Sequence, residues 1–227
     1  MFSVLFEVCP QRQNWNEYLD NAKLLRPELE RVAGFVDNIR YKSLTRDGWV
    51  LSLSNWRDEK SLVRWRTHMQ HHEVQQRGRD EILADYHLRV GQLTADNQLP
   101  AGYALTEQRL DETEVGTATA VTLVNISHRG HSPNPSDPQE WADLLQLNPW
   151  HPQCVSWDIF DAVLTPGELI VFISWQNNDA ARAYEAALSP NSRRVRRVRI
   201  VRDYAKYDRR EAPQFFADAK GAHTVHG

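Results

Sequence analysis

An internal repeat is the feature of this sequence that most restricts its fold. The passage DGWVLSLSNWRDEKSLVRW, residues 47–65, recurs in outline as PGELIVFISWQNNDAARAY, residues 166–184. Each copy contains a turn, a strand that ends in tryptophan (Trp56 or Trp175) and the start of a helix. A repeat of this kind indicates a tandem duplication. We therefore expect two similarly folded halves.

The sequence of the first half predicts strands and helices in the order β-α-β-β-α-β, which is the ferredoxin-like order. The second helix is expected to begin after Asp58, to run through Trp65 and Met69 toward Val74, and to stop or kink at Gly78. Asp-Gly between two alternating stretches predicts a hairpin. The predicted strands are residues 2–9, 35–45, 49–56 and 85–93, and the first helix is residues 14–32.

The same order returns after a polar connector. Two such units most economically pair their sheets, which predicts an α+β protein with tandem ferredoxin-like units that form an intramolecular dimeric α/β barrel. The predicted divisions are residues 1–94 for the first domain, 95–116 for the connector, 117–210 for the second, divergent domain and 211–227 for a C-terminal tail.

Composition excludes several classes of protein. The formal net charge is -3, so no basic excess favours nucleic acid or an anionic membrane. The run RRVRRVR, residues 193–199, is the local exception, and it predicts an edge strand with a solvated face. Only two cysteines occur, and no apolar run reaches the length of a membrane span, so a cytoplasmic location is expected.

One long motif carries a resemblance to a known family. The stretch LSNWRDEKSLVRWRTHMQHHEVQQRGRDEILADYHLRV, residues 53–90, resembles the antibiotic biosynthesis monooxygenase (ABM) superfamily of dimeric α/β-barrel proteins. The resemblance extends over residues 1–94, whereas the second half follows it only in element order and in Trp175. The matching residues are Trp56, Glu59, Trp65, His71, Gln75, Gly78, Arg79, Tyr86, Arg89 and Val90.

The resemblance implies a cofactor-independent monooxygenase that oxidises an electron-rich aromatic molecule such as a phenol or quinol. In that chemistry the deprotonated substrate passes electrons to dioxygen, and the protein supplies a dry pocket and a base. His71 and Glu7 are the candidate catalytic bases. The candidate substrate-binding residues are Trp56, Trp65, Arg79 and Tyr86.

Three histidines, His68, His71 and His72, stand at helical spacing and are expected on one side of the second helix. A closed metal site needs three or four ligands, and neither a carboxylate nor a cysteine follows at a suitable spacing. We therefore expect no metal. His71 matches the family pattern, so it is the preferred candidate, and the other two are expected at the surface or the pocket rim.

The sequence also allows two alternative functions. The chain can be a non-enzymatic binding or stress-associated barrel, or it can bind or degrade haem through His71. Glu7 counts against haem degradation, because it occupies the position where haem-degrading relatives carry asparagine, and a carboxylate cannot donate an amide hydrogen bond. Glu7 can instead pair with Arg40 or Arg79. We expect one competent pocket, in the first half, in a monomer with an internal pseudo-dimer or in a homodimer.

Overall fold

The computed structural model describes residues 1–127, 137–188 and 193–213, apart from the side chains of Gln70, His72 and Ser127. Residues 214–227, most of the predicted tail, lie outside this part. The helices are α1 (Trp15–Arg31), α2 (Glu59–Arg66), α3 (Met69–Arg77), α4 (Pro138–Leu144) and α5 (Asn178–Ala187). The strands are β1 (Phe2–Pro10), β2 (Phe35–Ser43), β3 (Val50–Trp56), β4 (Leu83–Asp96), β5 (Ala120–Ser127), β6 (Cys154–Ala162), β7 (Glu168–Trp175) and β8 (Arg194–Ala205).

The eight strands form one closed barrel in the order β1-β3-β2-β6-β7-β5-β8-β4, and neighbouring strands are antiparallel. Each half contributes a ferredoxin-like sheet, β4-β1-β3-β2 in the first and β8-β5-β7-β6 in the second. The β4–β8 and β2–β6 pairings join the two sheets. The expected intramolecular α/β barrel is therefore confirmed. None of the described helices is long and apolar enough to cross a membrane.

The strand register allows the two halves to be matched residue by residue. Phe2 pairs with Trp56 in the first half, and Ala120 pairs with Trp175 in the second. Both tryptophans are buried, and the indole Nε1 of each donates to a hydroxyl 3.0 Å away, on Ser54 and on Thr122 respectively. Phe2 therefore corresponds to Ala120, and Trp56 corresponds to Trp175.

The helices after the two tryptophans begin in the same way. Asp58 and Asn177 have nearly identical backbone angles, with φ near -150° and ψ of 167°. The Asp58 carboxylate accepts from the Ser61 amide at 2.7 Å, and the Asn177 side chain accepts from the Ala180 amide at 2.9 Å. The sequence prediction of Asp58 as a helix cap is thus confirmed.

The predicted second helix of the first half is wrong in one respect, because it is broken. α2 ends at Arg66, and His68 takes an extended conformation that starts α3. Thr67 donates from its hydroxyl to the carbonyls of Val63 and Arg64, at 3.0 and 3.2 Å, which competes with continued helix. A π-helical turn, Gly78–Ile82, then leads into β4.

The arginine-rich run is not an edge strand, so that prediction is also wrong. β8 pairs with β4 on one side and β5 on the other. The guanidinium of Arg194 pairs with Asp96, 98 residues earlier, at 2.6 Å, and that of Arg196 donates to Asn125 at 2.9 Å. Asp96 thus neutralises Arg194, whereas Arg196 has only a neutral acceptor and its buried Nε has no hydrogen-bond partner among the described residues.

Candidate functional site

The principal cavity of the first half, about 830 Å³ in volume, lies between the outer face of its sheet and the layer formed by α1, α2 and α3. Strand alternation explains which side chains reach it. In β1, Val4 and Phe6 face the helices and the cavity, whereas Leu5 and Glu7 face the barrel interior. This volume is in the range of pockets that bind small molecules.

The centre of the pocket floor is apolar. Val4 and Phe6 on β1 lie beside Val90 and Leu88 on β4. From α1, Leu25 and other apolar side chains close this part from above. An apolar surface of this kind favours a substrate that is mostly hydrocarbon.

One edge of the floor is polar. The side chains of Asn38 and Arg40 on β2 and of Ser52 and Ser54 on β3 line the same cavity. Asn38 donates from Nδ2 to Ser52 Oγ at 3.0 Å and to the Leu53 carbonyl at 3.2 Å. The pocket therefore has a polar end, formed by hydrogen-bonded side chains of β2 and β3, beside its apolar centre.

Tyr18 from α1 closes this polar edge from the helix side. Burial raises the pKa of the Tyr18 phenol, and the nearby Arg40 guanidinium opposes that effect only in part. The phenol therefore stays protonated at neutral pH and provides a neutral hydroxyl to the pocket.

The helices α2 and α3, which cover the pocket floor, contribute two stacked aromatic rings. The His71 ring lies on the Trp65 ring with 4.2 Å between centroids and 19° between planes, and both side chains line the cavity. His71 Nδ1 lies 3.0 Å from the Trp65 carbonyl oxygen, which can only accept. The neutral imidazole therefore carries its proton on Nδ1 and its lone pair on Nε2, which is the form needed for a base.

The opposite edge of the pocket is formed by β4 and β8. Tyr86, a predicted substrate-binding residue, lines the cavity, contacts Phe6 edge to face and accepts a hydrogen bond from Arg209. Burial raises the pKa of the neighbouring Tyr204 to about 12, so it too is a neutral hydroxyl. Arg202 lies on the same rim.

Arg79, another predicted substrate-binding residue, also lines the pocket. Its Nε lies 3.2 Å from a carboxylate oxygen of Asp80, and its side chain is 35% exposed. An ion pair this exposed is weak, so Arg79 keeps a charge at the mouth that water screens.

Two predicted site residues lie elsewhere. Trp56 is fully buried against Phe35 behind the pocket and reaches it only through the hydroxyl of Ser54. Glu7 is on the opposite face of β1 from the cavity, inside the barrel. The structure therefore brings together His71, Trp65, Arg79 and Tyr86, but not Trp56 and Glu7.

The expected partners of Glu7 were also wrong. Its carboxylate binds Arg46 at 2.6 Å and Arg89 at 2.9 Å, instead of Arg40 or Arg79. Both expected arginines face the pocket, on the other side of the sheet.

The three histidines are not a single face, since the helix breaks between them. His68 stacks on Trp65 at 5.7 Å, and its buried Nδ1 has no hydrogen-bond partner within the described residues. The side chain of His72 lies outside the described part. In the residues that the structure describes, no group of three histidine, cysteine, aspartate or glutamate side chains is arranged to hold a metal ion.

Sequence reasoning missed the polar edge formed by Asn38, Arg40, Ser52 and Ser54. A signal was present in the repeat itself. When LSLSNW is aligned with IVFISW, Ser52 corresponds to Val171 and Ser54 to Ile173. Polar residues in one copy at positions that are apolar in the other indicate a surface that is not simply packed.

Comparison with known proteins finds similarity over the first half and over nearly the whole chain. A family model described as antibiotic biosynthesis monooxygenase matches residues 1–77, which include α1, α2 and α3. A protein of Pyricularia oryzae described as a jasmonate monooxygenase is 47% identical over 225 residues, and the alignment covers 96% of this chain and 100% of that one.

Solved structures with a similar fold include two of aldoxime dehydratase. One, in complex with butyraldoxime, has a TM-score of 0.53 at 11% identity and covers 88% of this chain and 79% of the other. The second has a TM-score of 0.51 at 11% identity, covering 88% and 80%. At such low identity these likenesses establish the shared fold alone.

Proposed function

Since the chain belongs to the antibiotic biosynthesis monooxygenase family, we propose that it transfers one atom of dioxygen to a small, largely apolar substrate held in the pocket of its first half. A jasmonate-type molecule is the first candidate, because the Pyricularia oryzae relative, nearly half identical over its full length, is described as acting on jasmonate.

The observation that carries this proposal is the position of the pocket. It lies in the half that matches the family model, and its apolar floor faces the stacked Trp65 and His71. A cavity with an apolar centre and a histidine in its wall is suited to oxygen chemistry, because reactive intermediates are kept away from water and a base is at hand.

The electron balance distinguishes two classes of substrate. Hydroxylation of a carbon follows R–H + O₂ + 2e⁻ + 2H⁺ → R–OH + H₂O, and a reduced nicotinamide or flavin would supply the two electrons. A phenol can supply every electron itself, since C₆H₅OH + O₂ gives a quinone, C₆H₄O₂, and H₂O. The first route needs an added reductant and the second does not.

In this proposal His71 removes, through Nε2, an acidic proton of the substrate, such as that of a phenol or of a carbon beside a carbonyl group. Its Nδ1–H bond to the Trp65 carbonyl keeps the ring in the required tautomer and orientation. The hydroxyls of Tyr18, Tyr86 and Tyr204 are the candidate donors to oxygen atoms that become negative during the reaction.

An electron-rich aromatic substrate is the second candidate. The observation in its favour is the flat ring of Trp65, which lines the pocket and already stacks with the planar rings of His68 and His71. A planar phenol gains from such a wall through offset stacking.

The test is incubation of the purified protein with isotopically labelled dioxygen and jasmonic acid, or a panel of phenols, each with and without a reduced nicotinamide. We expect a product that contains one labelled oxygen atom. His71→Ala should lower the rate about 100- to 10,000-fold, as for loss of a general base. His151→Ala, in an exposed loop of the second half, is the matched control and should leave the rate unchanged.

Two results would contradict this function. Tight binding of these compounds without turnover by the wild type would favour a non-enzymatic binding barrel. A haem absorption band on titration with haemin that His71→Ala abolishes would favour haem chemistry, for which a histidine oriented through Nδ1 is also suited.

A further inference from the structure

Arg40 differs from most of the enclosed arginines of this protein, although the buried Arg196 also has no carboxylate partner among the described residues and donates to Asn125 instead. Arg46, Arg89 and Arg197 each bind a carboxylate at 2.6 to 3.0 Å. Arg40 forms no ion pair with any carboxylate of the described residues, and its buried Nε has no hydrogen-bond partner there, although the guanidinium donates to the phenol oxygen of Tyr18. A cation that is partly removed from water without a counter-charge is costly, so its retention indicates an anion that binds from outside the chain.

The neighbouring serines add hydrogen-bond donors. Ser52 Oγ accepts from Asn38 at 3.0 Å, and Ser54 Oγ accepts from the Trp56 indole at 3.0 Å. Because each oxygen accepts from a nitrogen, each hydroxyl can direct its own hydrogen to a ligand. Arg40 therefore has two hydroxyl donors beside it on one face of the sheet.

The second half shows that the fold does not need these polar groups. The strand register places Ile159 at the position of Arg40 and Trp157 at the position of Asn38. Val171 and Ile173 stand where the two serines are, and all four side chains pack in the apolar core of that half. The polar group is thus specific to the half with the pocket.

We propose that Arg40, Ser52 and Ser54 form a receptor for a carboxylate, and that the substrate of this protein is an apolar carboxylic acid bound by that end. This inference rests on the proposed function, which it deepens by assigning the substrate class and the residue that selects it. Arg40 is a positioning residue in this account, since it binds the end of the substrate that does not react.

The order of the strands determines where the hydrocarbon part of an acid bound to Arg40 would lie. Arg40, Ser52, Phe6 and Leu88 occupy successive strands on one rung of the sheet. Adjacent strands are about 4.8 Å apart, so an acid anchored at Arg40 extends about 15 Å to reach Leu88. Its hydrocarbon part therefore lies on the apolar floor, below the stacked His71 and Trp65.

Arg202, on the opposite rim, is the matched control. Its strand lies beyond β4, so an acid bound there would lie in the reverse direction. It lines the same cavity and, within the described residues, has no ion pair either. Comparison of Arg40→Gln with Arg202→Gln therefore separates a specific receptor from a general positive charge of the pocket.

The experiment is calorimetric binding of jasmonic acid, octanoic acid and their methyl esters to the full-length protein and its variants. The wild type should bind each acid more tightly than its ester. Arg40→Gln should weaken acid binding about 10- to 100-fold and leave ester binding unchanged, as for loss of a charged hydrogen-bonded pair. Arg40→Lys should restore part of the acid preference, and Ser52→Ala should reduce it less than Arg40→Gln.

The esters control for folding, since a merely unfolded variant loses both ligands. Equal losses for acid and ester in Arg40→Gln, no acid preference in the wild type, or a larger effect of Arg202→Gln would overturn the inference. Turnover is measured on the same samples. Normal turnover with no dependence on Arg40 contradicts the receptor alone, whereas Arg40-dependent acid binding with no oxygen transfer contradicts the proposed function alone.

Discussion

The two halves of this protein share one fold but use the space over their sheets differently. In the first half, α1, α2 and α3 stand over the sheet and leave a pocket. In the second, α4 and α5 place Trp141, Leu145 and Tyr184 directly on the equivalent face, and all three are buried in a continuous apolar core. The first half therefore contains the candidate site, whereas the second half contains a filled apolar core at the equivalent place.

The difference begins with the lengths of the helices. α1 has 17 residues, whereas its counterpart α4 has 7. Tyr184 occupies the place of Trp65, and β8 begins six residues after Leu188, so no helix as long as α3 fits between them. The second half therefore lacks the segment that carries His71. The two halves thus differ in the length of the first helix, in the presence of α3 and in the polar edge of the sheet.

The largest loss of stability is expected from a substitution inside the barrel, where the two halves meet. Glu7 with Arg89 corresponds by register to Asn125 with Arg196, so a charged pair in one half is a neutral acceptor in the other. Glu7→Gln should lower the free energy of unfolding by about 3 kcal/mol, because the buried Arg89 and the half-buried Arg46 each lose one of their two carboxylate partners. Urea unfolding measures the change.

The equivalent change, Asn125→Ala, should cost less, about 1 to 3 kcal/mol, since one hydrogen bond to a charged group is lost. Turnover per folded molecule should stay normal in Glu7→Gln. A rate that falls in proportion to a missing base, in a protein that is still fully folded, would return Glu7 to the site.

The next largest effect on stability is expected when alanine is replaced by phenylalanine in each of two equivalent helices, α4 and α1. Ala142 on α4 is fully buried in the filled core, and Ala142→Phe should destabilise the protein by about 1 to 3 kcal/mol through overpacking. Ala22 on α1 lines the cavity, so Ala22→Phe should change stability by only about 0.5 kcal/mol. Thermal unfolding of the two variants gives the difference, and equal losses would mean that the pocket is not open space.

The smallest effect concerns the two helix caps. Hydrogen bonds, chiefly from Ser61, lower the pKa of Asp58. Because its pKa is depressed in the folded state, Asp58 contributes stability above its unfolded pKa of about 4, and the contribution is lost as the pH falls through the folded value. Asp58→Ala should therefore cost about 1 kcal/mol at neutral pH and less in acid.

The controls for this prediction are Asp58→Asn and Asn177→Ala. The side chain introduced by Asp58→Asn would still cap the helix without titrating, and Asn177→Ala should cost about 1 kcal/mol at every pH. Urea unfolding at neutral pH and near pH 3 provides the comparison. An Asp58→Ala penalty that does not diminish in acid would show that the carboxylate charge is not the source of the cap's stability.

Much of the fold could be predicted because it depends on local patterns. Alternation indicated the strands, Asp-Gly and Pro-Gly indicated the turns at Gly48 and Gly167, which have positive φ, and the repeat indicated two halves. The break at Thr67 could not be predicted, since the apolar spacing of Leu62, Trp65 and Met69 continues across it.

The rest depended on partners that are distant in the chain. Nothing near Arg194 or Arg196 in the sequence indicates Asp96 and Asn125, so a buried strand looked like a solvated one. For the site, a motif match selected His71, Trp65, Arg79 and Tyr86, which do share a pocket. The motif began at Leu53 and omitted Arg40, whose importance depends on its lack of a carboxylate partner among the described residues.

The most direct test of the account is turnover of jasmonic acid under labelled dioxygen by the wild type, Ala22→Phe and Ala142→Phe, each normalised to folded protein. If the first half is the site and the second is its support, Ala22→Phe abolishes turnover while remaining folded, and Ala142→Phe is less stable but as active as the wild type. Normal turnover in Ala22→Phe, or selective loss in Ala142→Phe, would contradict the assignment of the site to the first half.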